Sequence, residues 1–133
     1  QGSQGAQGAQ GAQGAQGGTG PSDIRFKENI TPMTNSIDLL TKLRGVRFFW
    51  KKTDLIDTSQ LPKDNIGFIA QEVREVVPEF VYGNESDTEI LKVKYGDIVT
   101  LCIEAIKEQS ILLDLKEQRL ESLENKAKEK GLV

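Results

Sequence analysis

Ser22 and Lys27 stand five residues apart in the word Ser22-Asp23-Ile24-Arg25-Phe26-Lys27-Glu28-Asn29-Ile30. A serine hydroxyl becomes a nucleophile when a base takes its proton, and a lysine amine can be that base. The chain contains no histidine, so imidazole catalysis and His-ligated metal sites are excluded. Any chemistry falls to Ser, Thr, Lys, carboxylates or the lone thiol. A solvated lysine is a poor base: at a reference pKa of about 10.4, only about one in 2,500 is neutral at pH 7. Burial or a nearby cation must lower that value by several units, and Phe26 and Arg25 are close enough to contribute. The spacing does not bring the pair together by itself. On a strand the two residues lie on opposite faces and about 16 Å apart; on a helix they diverge by about 140°. A Ser–Lys dyad therefore needs a sharp turn between them, or serine from one chain and lysine from another. The plainer alternative is a capping serine beside a surface lysine.

Immediately upstream the physics changes. Gly2, Gly5, Gly8, Gly11, Gly14, Gly17 and Gly20 recur at strict period three, mostly as Gly-Ala-Gln. A flexible linker is one reading of such a composition. The unbroken phase favours a collagen-like triple helix, where only glycine fits the crowded axis at every third residue. Proline enters only at Pro21, so preorganisation is weak, and the repeat reads as the end of a longer one. A triple helix requires three chains, which makes a trimer the expected state.

Bulk composition bounds the rest. The chain has 133 residues and a net charge of −3, enough for one small domain with extensions and without the basic face of a nucleic-acid module. Residues 1–20 carry no large apolar side chain, so the core must come from the remainder, near the size where oligomerisation supplements a small core. The single cysteine, Cys102, excludes an intrachain disulfide framework and reads as a buried thiol among Leu101, Ile103 and Ile106. No stretch is long and apolar enough to span a membrane, and no secretory leader is evident.

From residue 22 the pattern predicts an α+β domain. Ile24, Phe26 and Ile30 alternate with charged residues as in a strand. Thr34, Asn35 or Ser36 is placed to cap a short helix bearing Ile37, Leu40 and Leu43 that stops at Gly45. Val46–Lys52 is β-branched and aromatic, hence a strand. Residues 54–65 are polar and contain Pro62, hence a loop. Residues 66–69 form a strand leading into a helix over 70–77, closed by Pro78. Residues 80–82 and 90–93 flank a Gly83-Asn84 turn and predict a hairpin. From Gly96 to Lys130 the chain is free of proline and rich in Leu, Glu and Lys, a long helix. Val99, Ile106, Leu113, Leu120 and Ala127 recur every seven residues, while Cys102, Gln109, Lys116, Leu123 and Lys130 form a mixed companion seam. That pattern fits a trimeric helical bundle, with a helix packed only on its own domain as the alternative. The expected organisation is a collagen-like stem over 1–21, an α+β domain over 22–95 and a long helix over 96–133.

The opening word, together with Val46-Arg-Phe-Phe-Trp50, Ile66-Gly-Phe-Ile-Ala-Gln-Glu-Val-Arg-Glu-Val-Val-Pro78, Val93-Lys-Tyr-Gly-Asp-Ile-Val99 and Ile103-Glu-Ala-Ile-Lys107, resembles the intramolecular chaperone auto-processing domain. Domains of this kind occur in phage tail spikes, endosialidases, tail fibres and neck appendages, with a relative in the myelin regulatory factor family. The resemblance runs from Ser22 to about Ser110. It implies a domain that trimerises, registers the upstream fibre of the same chain, and then cuts itself off once at the Pro21–Ser22 bond. Ser22 matches the family nucleophile and Lys27 its general base, with Arg25, Glu28 and Asn29 in positioning roles. Backbone N–H groups near Asn29 are candidates for holding an oxyanion. The implied setting is the host bacterial cytoplasm during virion assembly, with the released domain absent from the mature virion. No cofactor, metal, nucleic acid or membrane partner is implied, and no phosphate-binding loop signature is present. The competing reading is a non-cleaving trimerisation cap on a collagen-like fibre, which would be indifferent to Ser22→Ala.

Overall fold

Two short helices, two antiparallel ribbons and one long helix make up residues 20–133, the part of the chain that the computed structural model describes. The expected collagen-like repeat lies, apart from Gly20, outside the described residues. The order is α1 (Ser36–Lys42), β1 (Val46–Phe48), β2 (Asn65–Gly67), α2 (Ala70–Val76), β3 (Val81–Tyr82), β4 (Lys92–Val93) and α3 (Tyr95–Glu129). β1 pairs with β2 through Val46↔Gly67, Arg47↔Ile66 and Phe48↔Asn65. β3 pairs with β4 through Val81↔Val93 and Tyr82↔Lys92. This is the mixed helix-and-strand architecture expected, with strands too short to be stable without helices packed on them.

The core gathers residues far apart in sequence. Val73 and Val77 from the α2 region, Phe80, and Ile98 and Leu101 from α3 are buried together. Met33, Leu39, Leu40, Leu43, Phe68, Val81, Val93 and Cys102 pack around them. Ile98, Leu101 and Ala105 follow the three- and four-residue spacing of one helical face, so the first turns of α3 belong to the core. Cys102 is half-buried against it.

Three local features lock the elements in place. The Tyr95 hydroxyl accepts a hydrogen bond from the Phe68 N–H at 3.0 Å, tying the start of α3 to the β2–α2 junction. Gly67 makes room for it, since a Cβ there would collide with the Tyr95 hydroxyl. In the β3–β4 hairpin Gly83 has φ 95° and a Cβ would sit 2.5 Å from the Ile90 carbonyl oxygen, so this turn requires glycine on both counts.

Four expectations are corrected. Residues 24–30 do not form a strand: Ile24–Phe26 is a single 3₁₀ turn, because local hydrogen bonds win where no partner strand is present among the described residues. The strand expected over 46–52 ends at Phe48, where pairing with Asn65 ends. Helix α1 ends at Lys42, with Leu43 already extended, so Gly45 is not its stop signal. Asn35 does stand at its N-cap position, in the left-handed conformation, but its side chain makes no capping bond. The two carboxylate oxygens of Glu108 on α3 accept from the N–H groups of Ser36 and Ile37 at 2.9 and 2.8 Å. A carboxylate is the favoured partner for free amides at a helix start, and here it arrives from 72 residues away.

Candidate Ser–Lys site

The 3₁₀ turn supplies the reversal that the Ser22–Lys27 spacing requires. Phe26 N–H donates to the Asp23 carbonyl at 3.0 Å and Lys27 N–H to the Ile24 carbonyl at 3.1 Å. The fold of the turn brings the two side chains together, and Lys27 Nζ donates to Ser22 Oγ at 2.7 Å. Both residues belong to one chain. Pro21 precedes the hydroxyl directly, so its carbonyl carbon is the nearest acyl centre along the backbone.

Asp23 organises the turn, and the sequence reading passed over it. Its Oδ1 accepts the Arg25 backbone N–H at 2.9 Å and Arg25 Nε at 3.0 Å, and its Oδ2 accepts an Arg25 terminal nitrogen at 2.9 Å. The side-chain bond from Arg25, followed by its backbone bond, holds the Asp23 carboxyl below the usual range. An Asp two residues before a residue whose amide it can cap is a recognisable turn signal, and it was available in the sequence. Arg25, expected to position, thus acts on Asp23, and its guanidinium also lies 6.0 Å from the Phe26 ring centre. Glu28 and Asn29 make no side-chain hydrogen bond to the pair among the described residues. Asn29 instead has φ 54°, the left-handed conformation that asparagine tolerates and that turns the chain out of the loop.

Every residue from Gly20 to Pro32 is exposed. The apolar side chains beside the pair are bare as well: Ile24 at 72%, Phe26 at 78% and Ile30 at 64% of full exposure. A cleft of about 680 Å³ between β1, the start of α2 and β4, lined by Phe48, Trp50, Phe68 and Tyr95, contains neither Ser22 nor Lys27. No group of His, Cys, Asp and Glu among the described residues is placed to hold a metal ion.

A second bare surface runs along α3. Val99, Ile106, Leu113 and Leu120 are all exposed, lying about a third of a turn around the helix from the buried Ile98–Leu101–Ala105 face. Beyond Glu108 the helix continues about 30 Å without the core beneath it. Among the described residues no helix is long and apolar enough to cross a membrane.

Residues 22–82 match the peptidase S74 family, described as the chaperone of endosialidase. Over 87 residues the chain is 32% identical to the long tail fiber protein Gp37 of Escherichia phage AR1, covering 65% of this chain and 8% of that relative. It is 29% identical over 105 residues to the Gp37 of Salmonella phage S16, covering 78% of this chain and 14% of the relative. It is 33% identical over 101 residues to the Gp37 of Enterobacteria phage K3, covering 74% and 8%. The chain therefore spans only a small part of the length of these tail fibre proteins.

Proposed function

We propose, from the match of residues 22–82 to the family described as the chaperone of endosialidase, that the chain is a trimeric assembly chaperone of a phage tail fibre that releases itself by autoproteolysis. The observation that carries this reading is the 2.7 Å contact between Lys27 Nζ and Ser22 Oγ, beside a bond whose acyl carbon belongs to the neighbouring Pro21. Similarity to long tail fiber proteins supports the fibre as the cargo.

The step runs as follows. Ser22 Oγ attacks the Pro21 carbonyl carbon while Lys27, in its neutral amine form, takes the hydroxyl proton. The C–N bond breaks as that proton is delivered to the departing Ser22 nitrogen, leaving Pro21 esterified to the serine oxygen. Water then hydrolyses the ester, giving a Pro21 carboxylate and a free Ser22 amine and hydroxyl. Each chain is cut once, so the reaction is a maturation step and not turnover catalysis.

The bare surfaces support a link between assembly and chemistry. With Nζ as donor to Ser22, the bond points the wrong way for proton abstraction, and the lysine must first lose a proton. Covering the site with apolar surface disfavours the ammonium. Ile24, Phe26 and Ile30 offer that cover if neighbouring chains close over the turn. The exposed heptad row of α3 supplies the means of gathering those chains, since an unsupported helix of this kind is marginal alone. Cleavage then follows trimerisation, and separation of the chaperone removes the reverse path for the registered fibre. Assembly of this kind takes place in the host cell.

Intact mass and denaturing gels of the full chain beside Ser22→Ala and Lys27→Ala test the reading. The wild type is expected to yield a fragment beginning at Ser22, while both variants stay whole and trimeric. Three uncut trimers after long incubation would leave a trimerisation cap and remove the protease.

A further inference from the structure

The Ser22–Lys27 contact depends on a turn that nothing else in the described chain supports. All residues of the segment are exposed, its side-chain hydrogen bonds among the described residues stay within residues 22–27, and its own backbone bonds number two. An isolated 3₁₀ turn with two such bonds is marginal in water. The addition that distinguishes this one is the Asp23 carboxylate, which takes the free Arg25 amide and grips the Arg25 guanidinium through both oxygens. Its position at the head of the turn satisfies a donor that the turn cannot satisfy internally.

We propose that Asp23 is a positioning residue of the site: by capping the Ile24–Phe26 turn it presets the meeting of Ser22 and Lys27 within one chain, before any neighbouring chain arrives. This rests on the self-cleavage reading and deepens it. The dyad is formed in cis by local structure, and assembly supplies only the cover that makes the lysine a base. Arg25 serves as the outer half of the clamp, holding the carboxylate on the turn. Without the cap the five-residue segment returns to an extended conformation, where the two side chains stand about 16 Å apart.

The test follows single-round cleavage of the full chain by mass, across pH, for wild type, Asp23→Ala, Asp23→Asn and Ser22→Ala. Asn keeps a side-chain oxygen for the Arg25 amide, and Ala does not. Asp23→Ala is expected to slow cleavage about 10- to 100-fold, the scale of an ångström-sized misplacement. Asp23→Asn should recover to within a few-fold of wild type. The rate should fall by one factor at all pH values, with the rising limb unmoved and the trimer intact by sedimentation. In the uncut Ser22→Ala background, amide exchange at Phe26 and Lys27 should quicken when Asp23→Ala is added. Cleavage by Asp23→Ala at the wild-type rate, with Ser22→Ala inert, would overturn the positioning role and leave autoproteolysis standing. Equal losses in Asn and Ala would also overturn it, because the cap would not then be the cause. A wild type that never cleaves removes both ideas together.

Discussion

The turn at residues 23–27 and the core beneath α3 are held together by opposite means. Every stabilising contact of the turn spans five residues or fewer, and none of its side chains is buried. The core joins Val73 and Phe80 to Leu101, and its helix cap crosses 72 residues. The Ser22–Lys27 contact lies in the first region and the buried apolar core in the second. A turn built on local bonds can form early, and among the described residues nothing excludes water from it. Under the proposed function, that separation lets a folded chain wait for its neighbours.

The sharpest way to break the comparison is to charge the helix row. Ile106→Asp with Leu113→Asp places carboxylates on the exposed seam, away from the buried face. Trimers are expected to fall to monomers by sedimentation, with cleavage lost, while urea unfolding of the core remains cooperative. Cleavage by such a monomer at the wild-type rate would show that the turn needs no cover. Next in size is Leu101→Ala, which empties the centre of the core. A loss of about 2–5 kcal/mol is expected in denaturant unfolding followed at Trp50, with amide exchange at Phe26 and Lys27 under native conditions unchanged. Faster exchange there would mean that the turn leans on the core after all.

The smallest effect belongs to Glu108. Bonds from the Ser36 and then the Ile37 backbone hold its carboxyl below the ordinary glutamate range. A depressed folded value contributes stability above the unfolded pKa, and that contribution is lost as pH falls through the folded one. Glu108→Gln should lower the melting temperature by a few degrees at neutral pH, and the gap from wild type should close in acid. A gap that stayed constant with pH would assign the effect to packing and not to charge.

Much of the molecule was legible from residues alone. The seven-residue recurrence and absence of proline marked α3, Pro78 closed α2, and Gly83 marked the hairpin turn, because each depends on a neighbour within a few positions. The Ser22–Lys27 pair could be singled out from the sequence, and Asp23 was there to be read as a cap. Tertiary structure decided what long-range partners control. Strand-like alternation at 24–30 lost to the 3₁₀ turn because, among the described residues, no second strand lies beside it to pair with. The cap of α1 came from Glu108, which no local pattern around Ser36 announces. The hydrophobic seam of α3 was written in its heptads, but only the packed core settled which apolar residues turn inward and which stay bare: burial of Ile98, Leu101 and Ala105 uses up one face and leaves Val99, Ile106 and Leu113 in solvent. Local hydrogen bonding and backbone preference are written residue by residue, whereas the choice of a buried face is made jointly by every element that shares it.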